Sequence, residues 1–174
     1  MLEGKTVNLR VLEKEDVLLL VEWFSKQDFW GEYIPLGQPS RGNIEKSYDK
    51  ELEEGGKLFF IEKKDGTKVG FIHHFLLGNL LEIGYALLPT ERGKGYCTES
   101  AKVLVDYLFL SRDIPCIQAT TDIRNAASQK VLEKVGFKKE GILRKRWFMK
   151  GEWKDIAVFS ILREEWKEPK IIGH

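Results

Sequence analysis

Apolar and polar residues alternate over Thr6-Val7-Asn8-Leu9-Arg10-Val11-Leu12, the pattern of a half-buried strand with Val7, Leu9 and Val11 inward. Acidic residues from Glu13 to Asp16 then precede a stripe of Val17, Leu20, Val21 and Phe24, as at the positive end of an amphipathic helix. The segment Gln27 to Ser40 holds two prolines and two glycines and reads as a loop, yet it carries Phe29, Trp30, Tyr33 and Ile34. Its aromatics either plug one end of the core or form a lid over an acceptor site, since binding residues concentrate on loops. A polar helix from about Gly42 to Glu54 ends at Gly55-Gly56.

Three strands follow, Leu58 to Glu62, Val69 to Phe75 and Leu80 to Leu88, joined by turn signals at Asp65-Gly66 and Gly78-Asn79. They predict an antiparallel meander. A helix to about Leu110, a strand from Ile117 to Asp122 and a helix from Asn125 to Val135, stopped at Gly136, come next. The region from Phe137 to Trp166 reads as a long hairpin turning at Lys150-Gly151-Glu152, with Ile156, Val158, Ser160 and Leu162 along the returning strand. The predicted order is β-α-α-β-β-β-α-β-α-β-β in one domain over residues 1–166, with residues 167–174 a frayed tail.

Between the meander and the next helix lies Pro89-Thr90-Glu91-Arg92-Gly93-Lys94-Gly95-Tyr96-Cys97-Thr98-Glu99-Ser100. Glycines that let the backbone approach a ligand, followed by the free N–H groups of a helix's first turn, suit a phosphate. Arg92 and Lys94 add positive charge. A strand meander ahead of the turn argues against a dinucleotide-binding unit, which opens with strand, glycines and helix. The third glycine of G-x-G-x-x-G is Thr98 here, and Lys94 is followed by Gly95 rather than by Ser or Thr as in a P-loop.

Composition narrows the partners. The 174 residues carry 43% hydrophobic and 32% charged residues with a net charge of +1, so no bulk attraction to nucleic acid or membrane is expected. The basic, aromatic run Arg144 to Lys150 therefore reads first as a partly solvated hairpin and second as an acceptor-site wall. Strand alternation sends Lys145, Trp147 and Met149 to one of its faces. No apolar run reaches the length of a membrane span, and Met1 to Lys5 lacks the apolar core of a signal peptide. Cys97 and Cys116 form neither a disulfide framework nor a metal spacing, so a reducing cytoplasm is the default. The adjacent His73 and His74 face opposite sides of a strand and cannot share a metal; no metal is expected.

Arg92-Gly93-Lys94-Gly95-Tyr96-Cys97 resembles the Q/R-x-x-G-x-G/A segment of the GCN5-related N-acetyltransferases (GNAT), most of all the branch containing the ribosomal-protein alanine acetyltransferases. Three further stretches support the resemblance: Leu81 to Leu87, Asn125-x-x-Ser128 with Glu133 to Phe137, and Gly141-x-Leu143-Arg144 through Asp155 to Leu162. It implies an α/β (α+β) fold with a mixed, mostly antiparallel sheet of about seven strands and four helices, splayed at the central strands. It also implies acetyl transfer from acetyl-CoA to a primary amine by direct attack in a ternary complex. A protein N-terminus is the first acceptor class, a small amine, polyamine or antibiotic the second; a non-catalytic CoA-binding module and a homodimer stay open.

The resemblance assigns the CoA pyrophosphate to Arg92, Gly93, Lys94, Gly95, Tyr96, Cys97 and Thr98. The pantetheine arm goes to the edge at Ala86, Leu87 and Leu88 and to Asn125, with Ser128 near the sulfur. From the residues alone Asn125 reads as an N-cap. Cys97 departs from the pattern, which has Gly or Ala, but a backbone contact tolerates it. Leu132 stands where many members of the superfamily carry an acidic tyrosine, which makes Ser128 the candidate proton donor to the departing thiolate. Glu82 is the candidate base, or else a binding group for a cationic amine or a solvated carboxylate. Tyr85 lies on the opposite face by period two, so the two share a cleft only if a bulge intervenes. Trp30 and Tyr33 are the candidate acceptor contacts.

Overall fold

In the computed structural model, which describes residues 1–35, 39–167 and 169, one eight-stranded sheet carries helices on both faces. Its strands are β1 (Leu2–Glu3), β2 (Val7–Val11), β3 (Lys57–Lys63), β4 (Lys68–Leu77), β5 (Leu80–Leu87), β6 (Cys116–Asp122), β7 (Lys138–Met149) and β8 (Glu152–Leu162). The spatial order is β1-β2-β3-β4-β5-β6-β8-β7. Every neighbouring pair is antiparallel except β5 and β6. Those two parallel strands share a single paired position, Glu82 with Gln118.

The meander β3-β4-β5 follows the expected register signals, and β7 and β8 turn at Lys150 and Gly151. Two elements exceed the predicted order among the described residues. β1 is only two residues long. The helix α2 (Gln27–Trp30) interrupts the segment expected to be loop, beside α1 (Val17–Ser25) and α3 (Arg41–Glu53). Four residues followed at once by Gly31 carry too little periodicity to be read as a helix. The remaining helices are α4 (Tyr96–Ser111) and α5 (Ala126–Val135). Leu36, Gly37 and Gln38, and most of the expected tail from Lys167 to His174, lie outside the described residues.

Alternation along the strands divides the apolar residues between two cores. On one face Val7, Leu9, Phe59, Ile61, Ile72 and Ile83 meet Leu104 and Leu108 of α4 and Leu132 of α5. On the other, Leu58, Phe60 and Ala86 meet Val17, Leu20 and Trp23 of α1, Phe29 of α2, and Ile44 and Tyr48 of α3. Phe29 is 1% exposed and stacks on Trp23 and Phe71, so the core-plug reading of that aromatic holds. Aromatic pairs of this kind add about 1 kcal/mol each beyond burial. Val21 and Phe24 are only partly buried, and Trp23 takes the deeper place on α1.

His73 and His74 do point to opposite faces, and His74 is fully buried beside Phe59 with neither ring nitrogen hydrogen-bonded among the described residues. Burial, then the charges of Arg112 and Lys57, hold its pKa down to about 4 from 6.5. A folded-state value below the unfolded one stabilises the protein fully above pH ~6.5, and the contribution is lost as pH falls toward 4. By linkage, about 2–3 kcal/mol disappears between pH 7 and pH 4.5 through this one side chain. Urea unfolding of the His74→Leu variant should show a correspondingly smaller loss over that interval than the unsubstituted protein. Equal losses in the two proteins would remove His74 as the cause.

Candidate active site

The end of β5 builds the first half of the site. Leu88 still donates to Val69 of β4, and a single 3-10 turn over Pro89–Glu91 leads to Gly93 and Gly95. Both glycines are left-handed, at φ 77° and 87°, a region that a side chain disfavours. A Cβ added at either would meet no atom within 4 Å, so the turn faces open space. Gly95 caps α4 without any side-chain cap, and Glu99 N–H is bonded to the Gly95 carbonyl. The amides of Tyr96, Cys97 and Thr98 precede it and have no intrahelical acceptor, which leaves them for an anion.

The basic residues of the turn differ in their engagement. Lys94 pairs with Glu91 at 3.1 Å, and Lys63 reaches the same carboxylate. Arg92 is a strut, donating through Nη2 to the Phe29 carbonyl at 2.9 Å and through Nε to the Leu87 carbonyl at 3.3 Å. It thereby ties the turn to α2. Burial pushes the Cys97 thiol up to about 12, so it stays protonated and packs against the core.

The second half is a cavity of about 290 Å³ where β5 and β6 separate. Beyond Glu82 the β6-facing edge of β5 has no strand partner. The cavity is lined by the consecutive residues Ile83 to Ala86 of β5 and Ala119 to Thr121 of β6, by Asn125, Ser128 and Leu132 of α5, and by Trp30 and Tyr33. Consecutive residues of one strand line it because it opens within the sheet rather than over one face. Glu82 and Tyr85 do lie on opposite faces. No bulge interrupts β5 against β4, yet Tyr85 borders the cavity and Glu82 reaches it only through a neighbour. The Glu82 carboxylate, 6% exposed, accepts from Thr120 Oγ1 at 2.7 Å and Gln118 Nε2 at 2.9 Å. Thr120 is the lining residue.

Asn125 caps α5 by accepting from Ser128 N–H at 3.1 Å, and it also borders the cavity. Both readings of this residue are therefore compatible. The Ser128 hydroxyl lies 3.0 Å from Tyr85 Oη, which also donates to the Ser128 carbonyl at 3.3 Å. Burial raises the Tyr85 pKa beyond its ordinary range, so the phenol keeps its proton and can support the serine as a donor. Trp30 is fixed by donating Nε1–H to the Phe24 carbonyl at 2.8 Å, and the Arg124 guanidinium stacks over Tyr33 at 5.6 Å.

A glycine turn with unpaired helix amides thus ends one central strand, and a cleft opens beside it. A family model described as an acetyltransferase (GNAT) domain covers residues 6–138. The chain belongs to the GNAT family. It is 32% identical over 178 residues to the probable N-acetyltransferase YjcK of Bacillus subtilis (strain 168), covering 95% of this chain and 98% of that protein. Two solved structures share the fold. The ribosomal-protein-S5-alanine acetyltransferase of Vibrio fischeri has a TM-score of 0.82 at 21% identity, covering 95% of this chain and 98% of the other. The spermidine N-acetyltransferase of Vibrio cholerae in complex with CoA and spermine has 0.81 at 20%, covering 94% and 99%.

This GNAT chain is accordingly an N-acetyltransferase, and the second of these structures, which shares its fold, holds CoA. Some residues of the cavity were not among the candidates read from sequence. Tyr85, Thr120, Phe71 and His73 all border it. Trp147 of β7 does too, so the basic hairpin supplies one wall through that residue while Phe148 stays 58% exposed. Lys145 stands at φ 50° within a register shift between Leu143 and Trp147, which breaks the simple alternation expected there. Among the described residues no group of three or more His, Cys, Asp or Glu is placed to hold a metal ion, and no helix is long and apolar enough to cross a membrane.

The turn's geometry is testable by itself. Gly95→Ala puts a methyl group into open space but into a left-handed backbone, and should lower stability by about 1–2 kcal/mol. Urea denaturation checks this; an unchanged midpoint would mean that the turn has no need of the glycine.

Proposed function

We propose that this N-acetyltransferase moves the acetyl group of acetyl-CoA to the α-amine of a protein N-terminus, as the ribosomal-protein alanine acetyltransferases do. One observation carries the acceptor class. None of the described residues lining the cavity is Asp, Glu, Lys or Arg, and its walls are aromatic and aliphatic with a few hydroxyls, the Asn125 amide and the His73 ring. Such a space suits one amine on a short, small-side-chain peptide end better than a chain of several ammonium groups. A polyamine is the second reading, favoured by the carboxylate of Glu82 just behind Thr120.

On this reading the amides of Gly93, Lys94, Gly95, Tyr96, Cys97 and Thr98 bind the donor's pyrophosphate, with Arg92 supporting the turn from behind. The end of β5 at Leu87 and Leu88, together with Asn125, holds the pantetheine arm, and a β6-facing amide of β5 stabilises the oxyanion that develops on the thioester carbonyl. Trp30 and Tyr33 contact the acceptor. Ser128, supported by Tyr85, gives the departing sulfur its proton. Glu82 acts through Thr120, adding negative potential that attracts an ammonium group. Direct attack fits the side chains present, because the Cys97 thiol is held protonated and Ser128 has no base among its hydrogen-bond partners.

Thiol release from acetyl-CoA, measured with Ala- and Ser-initiated peptides beside spermidine, tests the acceptor class. Peptide turnover is expected; release with spermidine and none with any peptide would overturn it. Calorimetry should detect acetyl-CoA binding, and no heat at high micromolar donor would remove the cofactor assignment. Ser128→Ala should lower kcat roughly 100-fold while the acetyl-CoA Kd stays within twofold.

A further inference from the structure

Two apolar stripes on one side of the sheet are each broken by one polar residue, and the two interruptions touch. Ile44 and Tyr48 of α3 are buried on its inner face, and Glu51 falls next on that face, at i+7 and i+3 from them. Its side chain is only 18% exposed. Phe71, His73 and Phe75 alternate along one face of β4, the imidazole lying 5.9 Å from the first ring and 5.0 Å from the second. His73 Nδ1 and Glu51 Oε1 are 2.9 Å apart. A carboxylate in an apolar stripe loses hydration that an aliphatic residue would not, so packing alone does not favour this pair.

The pairing fixes the chemistry of the ring. An ionised carboxylate can only accept, so Nδ1 carries the hydrogen, and in the neutral ring Nε2 is the bare, basic nitrogen. Among the described residues Nε2 has no hydrogen-bond partner. The ring borders the cavity where the strands part, and its far edge rests over Gly84, the cross-strand partner of His73. A Cβ on residue 84 would lie 2.5 Å from Nε2, so glycine is what lets the ring occupy this place. A carboxylate behind an imidazole that lines a cavity and keeps its other nitrogen unbonded is an orienter and a base.

We propose that His73, held by Glu51, is the general base that receives the proton of the acceptor amine. The inference rests on the acetyl-transfer reading but applies to any primary amine acceptor. The ammonium group gives one proton to Nε2, and the positive imidazolium is then paired with Glu51. The freed lone pair forms the C–N bond as the carbonyl π pair moves onto oxygen. That pair returns, the C–S bond breaks, and its electrons leave on sulfur. The remaining excess proton on nitrogen passes to sulfur by way of the Ser128 hydroxyl. His73 releases its proton to water, to which its side chain is 24% exposed. The charged and titratable groups around the ring are Glu51 of α3, Glu82 two residues from Gly84 on β5, Lys57 next to its β3 partner Leu58, and the buried His74 on the opposite face.

The test uses His73→Gln and Glu51→Gln in the full chain, with an Ala-initiated peptide or spermidine, whichever the unsubstituted enzyme turns over. At pH 7 the first substitution should lower kcat/KM roughly 100-fold and the second roughly tenfold, with the acetyl-CoA Kd within twofold in both. The deficit of His73→Gln should shrink below tenfold at pH 9.5, where the amine sheds its own proton. Activity within threefold of the unsubstituted enzyme at pH 7, or a deficit of equal size at both pH values, overturns the proposal. Peptides that fail while spermidine succeeds would overturn the acceptor class alone. Nitrogen-15 spectra of the imidazole, assigned by their loss in His73→Gln, need no acceptor: at pH 8 they should report the proton on Nδ1 and a bare Nε2. The opposite tautomer sinks the inference even if no amine tried is a substrate.

Discussion

Two parallel strands that meet at one residue pair and then part are the constraint on which the site depends. A sheet that stayed paired past Glu82 and Gln118 would spend the β5 edge on β6 and close the space between them. Their parting leaves backbone groups of β5 in need of partners, and an unpaired strand edge is normally a liability. Here the two cores hold it open. Each strand is pinned on its far side by a full antiparallel partner, β4 for β5 and β8 for β6, while α4 and α5 clamp one face and α1 to α3 the other. The cleft is thus a consequence of firm packing on either side.

From this opening the division of labour follows. The glycine turn lies at the carboxyl end of β5 and the α5 cap just past the carboxyl end of β6, because parallel strands present those ends together. Features that are unrelated in sequence converge for that reason. Tyr85 and Ser128 are 43 residues apart and share a hydrogen bond, and Arg92 reaches 63 residues back to the Phe29 carbonyl.

What could be read from the chain was what is local. Period-two alternation and the turns at Gly66 and Gly78 gave the meander, and the glycines flanking Lys94 announced the left-handed turn before α4, since backbone conformation there is written in the residues that adopt it. Contacts between elements were not legible. Adjacency of His73 and His74 placed them on opposite faces, yet it said nothing of Glu51, 22 residues earlier on another element. Alternation placed Glu82 and Tyr85 on opposite faces, which is so, but which of them would border a cavity depended on where the sheet opened. The helix α2 was hidden by its length, and alternation set Trp147 apart from the exposed Phe148 without saying which cavity it would border.

The contact between the imidazole and Gly84 also bears on how this protein can change over time. Positions 73 and 84 lie opposite each other on neighbouring strands, and the space for one ring is all the room they share. A lineage that acquires a side chain at 84 must shrink or redirect residue 73, and one that loses the ring removes the barrier to a larger residue at 84. Across descendants of this sequence the two positions should therefore vary as a pair, with position 51 free to become apolar wherever the histidine has gone.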